Sequence, residues 1–149
     1  DDVAYVELGE PGVPHAVKEI PGLKWEQAEE LRAFAKELRY DSVFPKGANV
    51  NFYTMLADDE IRILTYERGV EDYTLACGTG SASTAVVLKK SGKLKGNKVI
   101  VHNKGGVLKV ELNCDGDAIT AIYLEGPTEV LEKESYFQGK SLDKSRFHS

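Results

Sequence analysis

Cys77 stands in the run Ala76-Cys77-Gly78-Thr79-Gly80-Ser81-Ala82-Ser83, which puts one thiol at the mouth of a helix opened by glycines. Gly78 and Gly80 allow a tight turn, and Thr79, Ser81 and Ser83 offer capping hydroxyls ahead of the apolar Ala85-Val86-Val87-Leu88. The spacing predicts a helix starting within a residue or two of Cys77. The partial positive charge of a helix N-terminus favours anions, so this terminus would attract a carboxylate and stabilise a neighbouring thiolate. Cys77 would then exchange protons near neutral pH. A cysteine among small residues is more often a buried core thiol. The Gly-Thr-Gly setting and the upstream pair Glu67-Arg68, in Tyr66-Glu67-Arg68-Gly69, favour chemistry over packing.

The elements that would carry this thiol can be read outward from it. Ala82, Ala85, Val86, Val87 and Leu88 make Ser81 to Lys90 apolar nearly all round, the pattern of a buried helix. An earlier helix shows one dry face through Trp25, Ala28, Leu31, Ala35 and Leu38, with Glu29, Glu30, Arg32, Lys36 and Glu37 on the other side, and is expected to lie outside. Strands are expected at 3–8, 15–17, 98–102, 107–112 and 118–124, with a turn region from Gly9 to Pro14 and a hairpin of 50–55 and 61–66 about Asp58-Asp59. The fold class is α+β: a curled, mostly antiparallel, barrel-like sheet around a central buried helix, with an outer helix. Residues 1–130 form one domain, and residues 131–149 are expected to be a weakly structured tail.

Composition narrows the class. A chain of 149 residues, 42% of them hydrophobic, can bury a core of its own. A net charge of −5 argues against a nucleic-acid or anionic-membrane surface, and the basic cluster from Lys89 to Lys98 reads as a solvated helix end and turn. Cys77 and Cys114 have neither disulfide nor zinc spacing, so no metal is expected and a reducing, cytoplasmic setting fits best. No stretch is long and apolar enough for a membrane span. The Asp1-Asp2 start is what a processed product or an excised piece of a longer protein would show.

An ordered set of motifs then resembles the carboxyl-terminal half of the diaminopimelate epimerase family: Gly12-Val13-Pro14-His15-Ala16-Val17, Phe44-Pro45, Asn49-Val50-Asn51-Phe52, Tyr66-Glu67-Arg68-Gly69, Ala76-Cys77-Gly78-Thr79-Gly80, Gly105-Gly106-Val107-Leu108 and Gly126-Pro127. The resemblance runs through about residues 3 to 130. It implies a cofactor-independent enzyme of two similar domains, each a β-barrel around a helix, with one cysteine per domain on opposite faces of the substrate α-carbon. One thiolate removes the proton and the other thiol delivers one. Cys77 matches the cysteine of the second domain, and Gly78 and Thr79 match positions that contact the α-carboxylate. Arg68 would grip the distal carboxylate, Glu67 the distal ammonium, and Asn49 would bond the same end. His15, together with Glu67, matches residues that tune the thiols. Without that context Glu67 and Arg68 would read as a surface ion pair, and His15 as an ordinary strand-end histidine. Cys114 matches no role.

The pattern departs from the family at two places. Val13 stands where many members have Asn, and the Glu67 to Cys77 spacing is one residue longer, with Glu71-Asp72-Tyr73 where a second glycine is usual. No second Cys-Gly-x-Gly loop is present, so the partner domain is expected elsewhere and this chain alone is expected to be inactive. A homodimer is a further possible assembly. Other readings are a proline racemase-like isomerase, a phenazine-type isomerase, and a non-catalytic amino-acid-binding module. The Glu67-Arg68 pair disfavours the first, and the Cys77 thiol, which phenazine-type isomerases lack, disfavours the second.

Overall fold

The computed structural model describes residues 3–9, 12–41, 47–74, 78–116, 118–126, 130–133 and 137–141, with 7–9, 12, 13, 130–133 and 137–141 described by backbone alone. Ten strands form one sheet: β1 (Val3–Gly9), β2 (Gly12–Glu19), β3 (Asn49–Ala57), β4 (Glu60–Glu67), β5 (Asp72–Thr74), β6 (Lys98–Asn103), β7 (Gly106–Asp115), β8 (Ala118–Glu125), β9 (Val130–Lys133) and β10 (Phe137–Ser141). The path is β10-β1-β2-β3-β4-β6-β7-β8-β9, and β5 pairs with β4 beside it. Its two ends are consecutive strands, so the sheet curls nearly back onto itself. Among the described residues β2–β3 and β4–β6 pair in parallel, each across a helix, while the other pairs are antiparallel. The mixed α+β class and the mostly antiparallel curl follow the sequence reading.

Two helices take opposite faces of this sheet. A 3-10 turn at Trp25–Gln27 leads into α1 (Ala28–Arg39), and α2 spans Gly78–Lys90. Strand alternation sorts the apolar side chains into two cores. Val17, Tyr53, Ile61, Ile63, Val99, Val101, Val110, Leu112, Ile122 and Leu124 point inward, where they enclose Ala82, Ala85, Val86 and Leu88 of α2. Ala16, Val50, Phe52, Leu64 and Tyr66 point outward, beneath Ala35 and Leu38 of α1. Residues 80–86 and 88 of α2 are all buried, as expected of a helix without a polar face. It packs against β1, β2, β3, β7 and β8, which places it inside the curl.

The fold departs from the sequence reading at three places. β2 begins at Gly12, so the strand takes in the end of the expected Gly9 to Pro14 turn region. β5 is a short strand in what reads as loop, paired to β4 with Glu67 opposite Asp72. β9 and β10 lie where a weakly structured tail is expected. β9 pairs with β8 and β10 with β1, partners distant in sequence, which local periodicity does not report. Residues 142–149 lie outside the described residues.

Candidate active site

The N-terminal ends of β2 and β3 and the C-terminal end of β4 bring polar side chains onto the inner, α2-facing side of the sheet. In the parallel β2–β3 pair His15 is opposite Asn49 and Val17 opposite Asn51. In the antiparallel β3–β4 pair Asn51 meets Thr65. His15, Asn49, Asn51 and Thr65 are all buried, and His15 is only 1% exposed. Glu67 continues the inward row of Ile61, Ile63 and Thr65 and is half-buried at the strand end.

Buried polar groups need partners, and here they determine one another. Asn51 Nδ2 donates to the Ala16 carbonyl at 3.2 Å and lies 3.1 Å from His15 Nδ1. Asn51 Oδ1 accepts the Thr65 hydroxyl at 2.9 Å. An amide nitrogen only donates, so Nδ1 is the acceptor and a neutral His15 carries its proton on Nε2. The Arg68 backbone N–H donates to Asn49 Oδ1 at 2.6 Å, which turns Asn49 Nδ2 toward His15 Nε2 at 3.4 Å. Those two groups are both donors, so their contact is packing and not a bond. Burial lowers the His15 pKa to about 4, so the ring is neutral at pH 7. His15 therefore offers the site an N–H donor and no positive charge.

Of the residues singled out in the sequence, the structure brings His15 into contact with Asn49, and Asn49 accepts the Arg68 backbone N–H, with Glu67 at the rim of the same strand ends. Gly78 and Thr79 open α2, which packs against the same β2 and β3. A Cβ on Gly78 would meet Leu124 Cδ1 at 3.3 Å, tight enough that glycine suits this close approach of helix start and β8. In the first turn of α2 the buried Ser81 hydroxyl accepts from Asn103 Nδ2 at 3.3 Å, which ties the helix start to the β6–β7 hairpin. Cys77, the residue before α2, lies outside the described residues, as do Phe44, Pro45, Pro127 and the Val13 side chain. Cys114 packs at the margin of the inner core, with Sγ 3.8 Å from Asn97 Oδ1. Among the described residues no group of three or more His, Cys, Asp or Glu could hold a metal ion, and no helix is long and apolar enough to cross a membrane.

Sequence reasoning missed Asn51 and Thr65, the pair that orients His15. The signal was present: Asn49 and Asn51 share one face of a mostly apolar strand, a face that continues through Tyr53 and Met55, and a polar residue on a dry face needs a partner. Also missed was the brace on the loop carrying Arg68, which runs through Arg39 and Glu71.

Residues 9–131 match the family model described as diaminopimelate epimerase. Over 128 residues the chain is 36% identical to the diaminopimelate epimerase of Flavobacterium psychrophilum, covering 85% of this chain and 48% of that protein. Over 121 residues it is 41% identical to the diaminopimelate epimerase of Archaeoglobus fulgidus, covering 81% and 40%. The chain thus spans less than half the length of these curated relatives. Among solved structures, it is similar to a Bacillus anthracis phenazine biosynthesis protein of the PhzF family, with a TM-score of 0.61, 18% identity, and coverage of 83% of this chain and 39% of that one. At that identity the likeness speaks for the fold alone. With the family match running through both the His15–Asn49 strands and the opening of α2, the chain belongs to the diaminopimelate epimerase family.

Proposed function

We propose that this chain is the carboxyl-terminal half of a cofactor-independent isomerase that interconverts LL- and meso-diaminopimelate by proton transfer between two thiols at the α-carbon. The observation that carries the reading is the pair of buried side chains His15 and Asn49, on the face of the sheet that also holds α2, with the half-buried Arg68 N–H bonded to Asn49. A thiol, a helix N-terminus and a pair of distal-end ligands are what the reaction needs on one side of its substrate.

In this reading Cys77 removes or delivers the proton on its face of the α-carbon. Carbanion character at that carbon is tolerable only if the adjoining carboxylate is stabilised, and the first turn of α2, with Gly78 and Thr79, has the polarity to do so. His15, neutral and protonated at Nε2, acts as a hydrogen-bond donor to the anionic side of the reaction, with Glu67 two strands away on the same face. Arg68 and Glu67 take the distal carboxylate and ammonium, and Asn49 holds the Arg68 turn in register. The second thiol belongs to a partner domain outside these 149 residues. Residues 1–130, with β9 and β10 completing their sheet, form the half-site domain, in a cytoplasmic enzyme of amino-acid and lysine biosynthesis. A homodimer of this chain would duplicate Glu67 and Arg68 at both ends of the substrate and leave no differentiated α-carbon site.

The test follows the diaminopimelate α-proton by NMR in deuterated water. The protein carrying both halves should wash out that signal at an enzymatic rate, Cys77→Ala should abolish the washout, and Cys114→Ala should leave it near normal. The isolated chain should leave the signal intact. Washout that survives Cys77→Ala would refute the assignment, and diaminopimelate binding without exchange in the two-domain protein would indicate a binding module instead.

A further inference from the structure

The turn that carries Arg68 is held from the far side of the sheet. Glu67 pairs with Asp72, so residues 68–71 form a four-residue hairpin loop. Gly69 has φ +89° and Glu71 φ +57°, and the latter is a left-handed conformation that a residue with a side chain adopts only when its surroundings enforce it. Those surroundings are specific. The Glu71 carboxylate accepts Arg39 Nη2 at 2.6 Å, Arg39 Nε at 3.0 and 3.1 Å, the Tyr40 hydroxyl at 3.0 Å and the Gly69 N–H at 3.0 Å. Its backbone carbonyl accepts the Tyr66 hydroxyl at 2.9 Å. Arg39 is itself seated, since a Cβ on Gly47 would stand 1.9 Å from Nη1 and only glycine leaves the guanidinium its place. The Arg39 hydrogen bonds, with help from Gly69 and Tyr40, pull the Glu71 pKa down to about 2, so the carboxylate is charged at neutral pH. On its other side the same turn donates the Arg68 N–H to Asn49 Oδ1, beside the His15 ring. Polar contacts thus run from the C-terminal end of the outer helix, through Glu71 and the 68–71 turn, to the buried site.

We propose that Glu71 is a positioning residue for the distal-substrate end of the site: its carboxylate, gripped by Arg39 and Tyr40, fixes the turn from which Arg68 acts and so sets affinity for the distal carboxylate. The proposal rests on the diaminopimelate reading above. It makes the outer helix part of the specificity apparatus and not only a cover for the sheet. A role confined to backbone shape would predict the opposite behaviour in one variant. Glu71→Gly adopts a positive φ freely and would match wild type if shape alone mattered, whereas a carboxylate role makes Glu71→Gly and Glu71→Gln fail alike.

Two measurements test it. In the isotope-labelled chain, amide hydrogen exchange at Arg68 and Gly69 should quicken at least about tenfold in both variants, with the Val101 and Val110 amides unmoved. In the protein carrying both halves, both variants should raise KM for diaminopimelate about tenfold, with kcat within about twofold and KM for an analogue lacking the distal carboxylate unchanged. Unchanged exchange in Glu71→Gln, or wild-type behaviour in Glu71→Gly, overturns the proposal. So does an unmoved KM in a two-domain protein that turns over normally. A wild-type two-domain protein with no turnover rejects the epimerase reading instead, and the exchange measurement alone then decides whether Glu71 holds the turn.

Discussion

The neutral, buried His15 makes the stability of this chain depend on pH in a calculable way. Its pKa falls from 6.5 in the unfolded chain to about 4 in the fold, because burial penalises the charged ring. Between these values the unfolded state binds a proton that the folded state refuses, so acidification favours unfolding. The stability at issue is complete above pH 6.5, declines by up to about 1.4 kcal/mol per pH unit below it, and stops declining near pH 4. From pH 7 to pH 5 the loss comes to about 2 kcal/mol. Stopping at pH 5 keeps the loss from the carboxylates whose pKa values folding lowers, Glu71, Asp72 and Glu29, small against that of His15 and about the same in wild type and in His15→Gln. Trp25, the one tryptophan, gives a fluorescence signal for urea unfolding, and a slope of about 2 kcal/mol per molar converts the loss into a midpoint shift of about 1 M. His15→Gln does not titrate and should remove that shift, while the other two histidines contribute equally to both proteins. If wild type and His15→Gln lose the same stability between pH 7 and pH 5, His15 is not the buried neutral ring described here.

Arg68→Ala should weaken diaminopimelate binding in the two-domain protein by about 2–5 kcal/mol while sparing an analogue without the distal carboxylate, as read by inhibition constants. Asn51→Ala leaves His15 Nδ1 and the Ala16 carbonyl without their amide partner, and should cost about 3 kcal/mol in urea unfolding. It should also shift the nitrogen NMR signature of His15 away from the Nε2–H tautomer. Leu88→Ala, at a fully buried position of α2, should cost about 2–5 kcal/mol without moving the His15 pKa.

Features set by neighbours along the chain were legible in the sequence. The outer face of α1 and the apolar surround of α2 follow from side chains three or four residues apart, and the β3–β4 hairpin follows from two alternating runs about Asp58-Asp59. Features set by strands meeting from afar were not. β5 has three residues, too few for alternation to register, and β10 owes its existence to β1. In the site, the family resemblance singled out His15, Asn49, Glu67 and Arg68, which the structure places at neighbouring ends of β2, β3 and β4. The tautomer of His15 depends on the register that sets Asn51 between Val17 and Thr65, which no single segment encodes. Glu71 was visible only as an irregular spacing, because its left-handed backbone and its bond to Arg39 join parts of the chain 32 positions apart.

The pairing of β1 with β10 also shapes how this chain acquires its structure over time. Ala4 and Ser141 are partners across 137 positions of sequence, so β1 has one neighbour, β2, within a few residues and must wait for nearly all the described chain before gaining the other. Contacts of such long range slow folding, because the entropy of closing the loop must be spent before the pairing rewards it. During synthesis the β1 edge would stand bare until residues 137–141 emerge, which is the interval in which edge-to-edge association competes with correct closure.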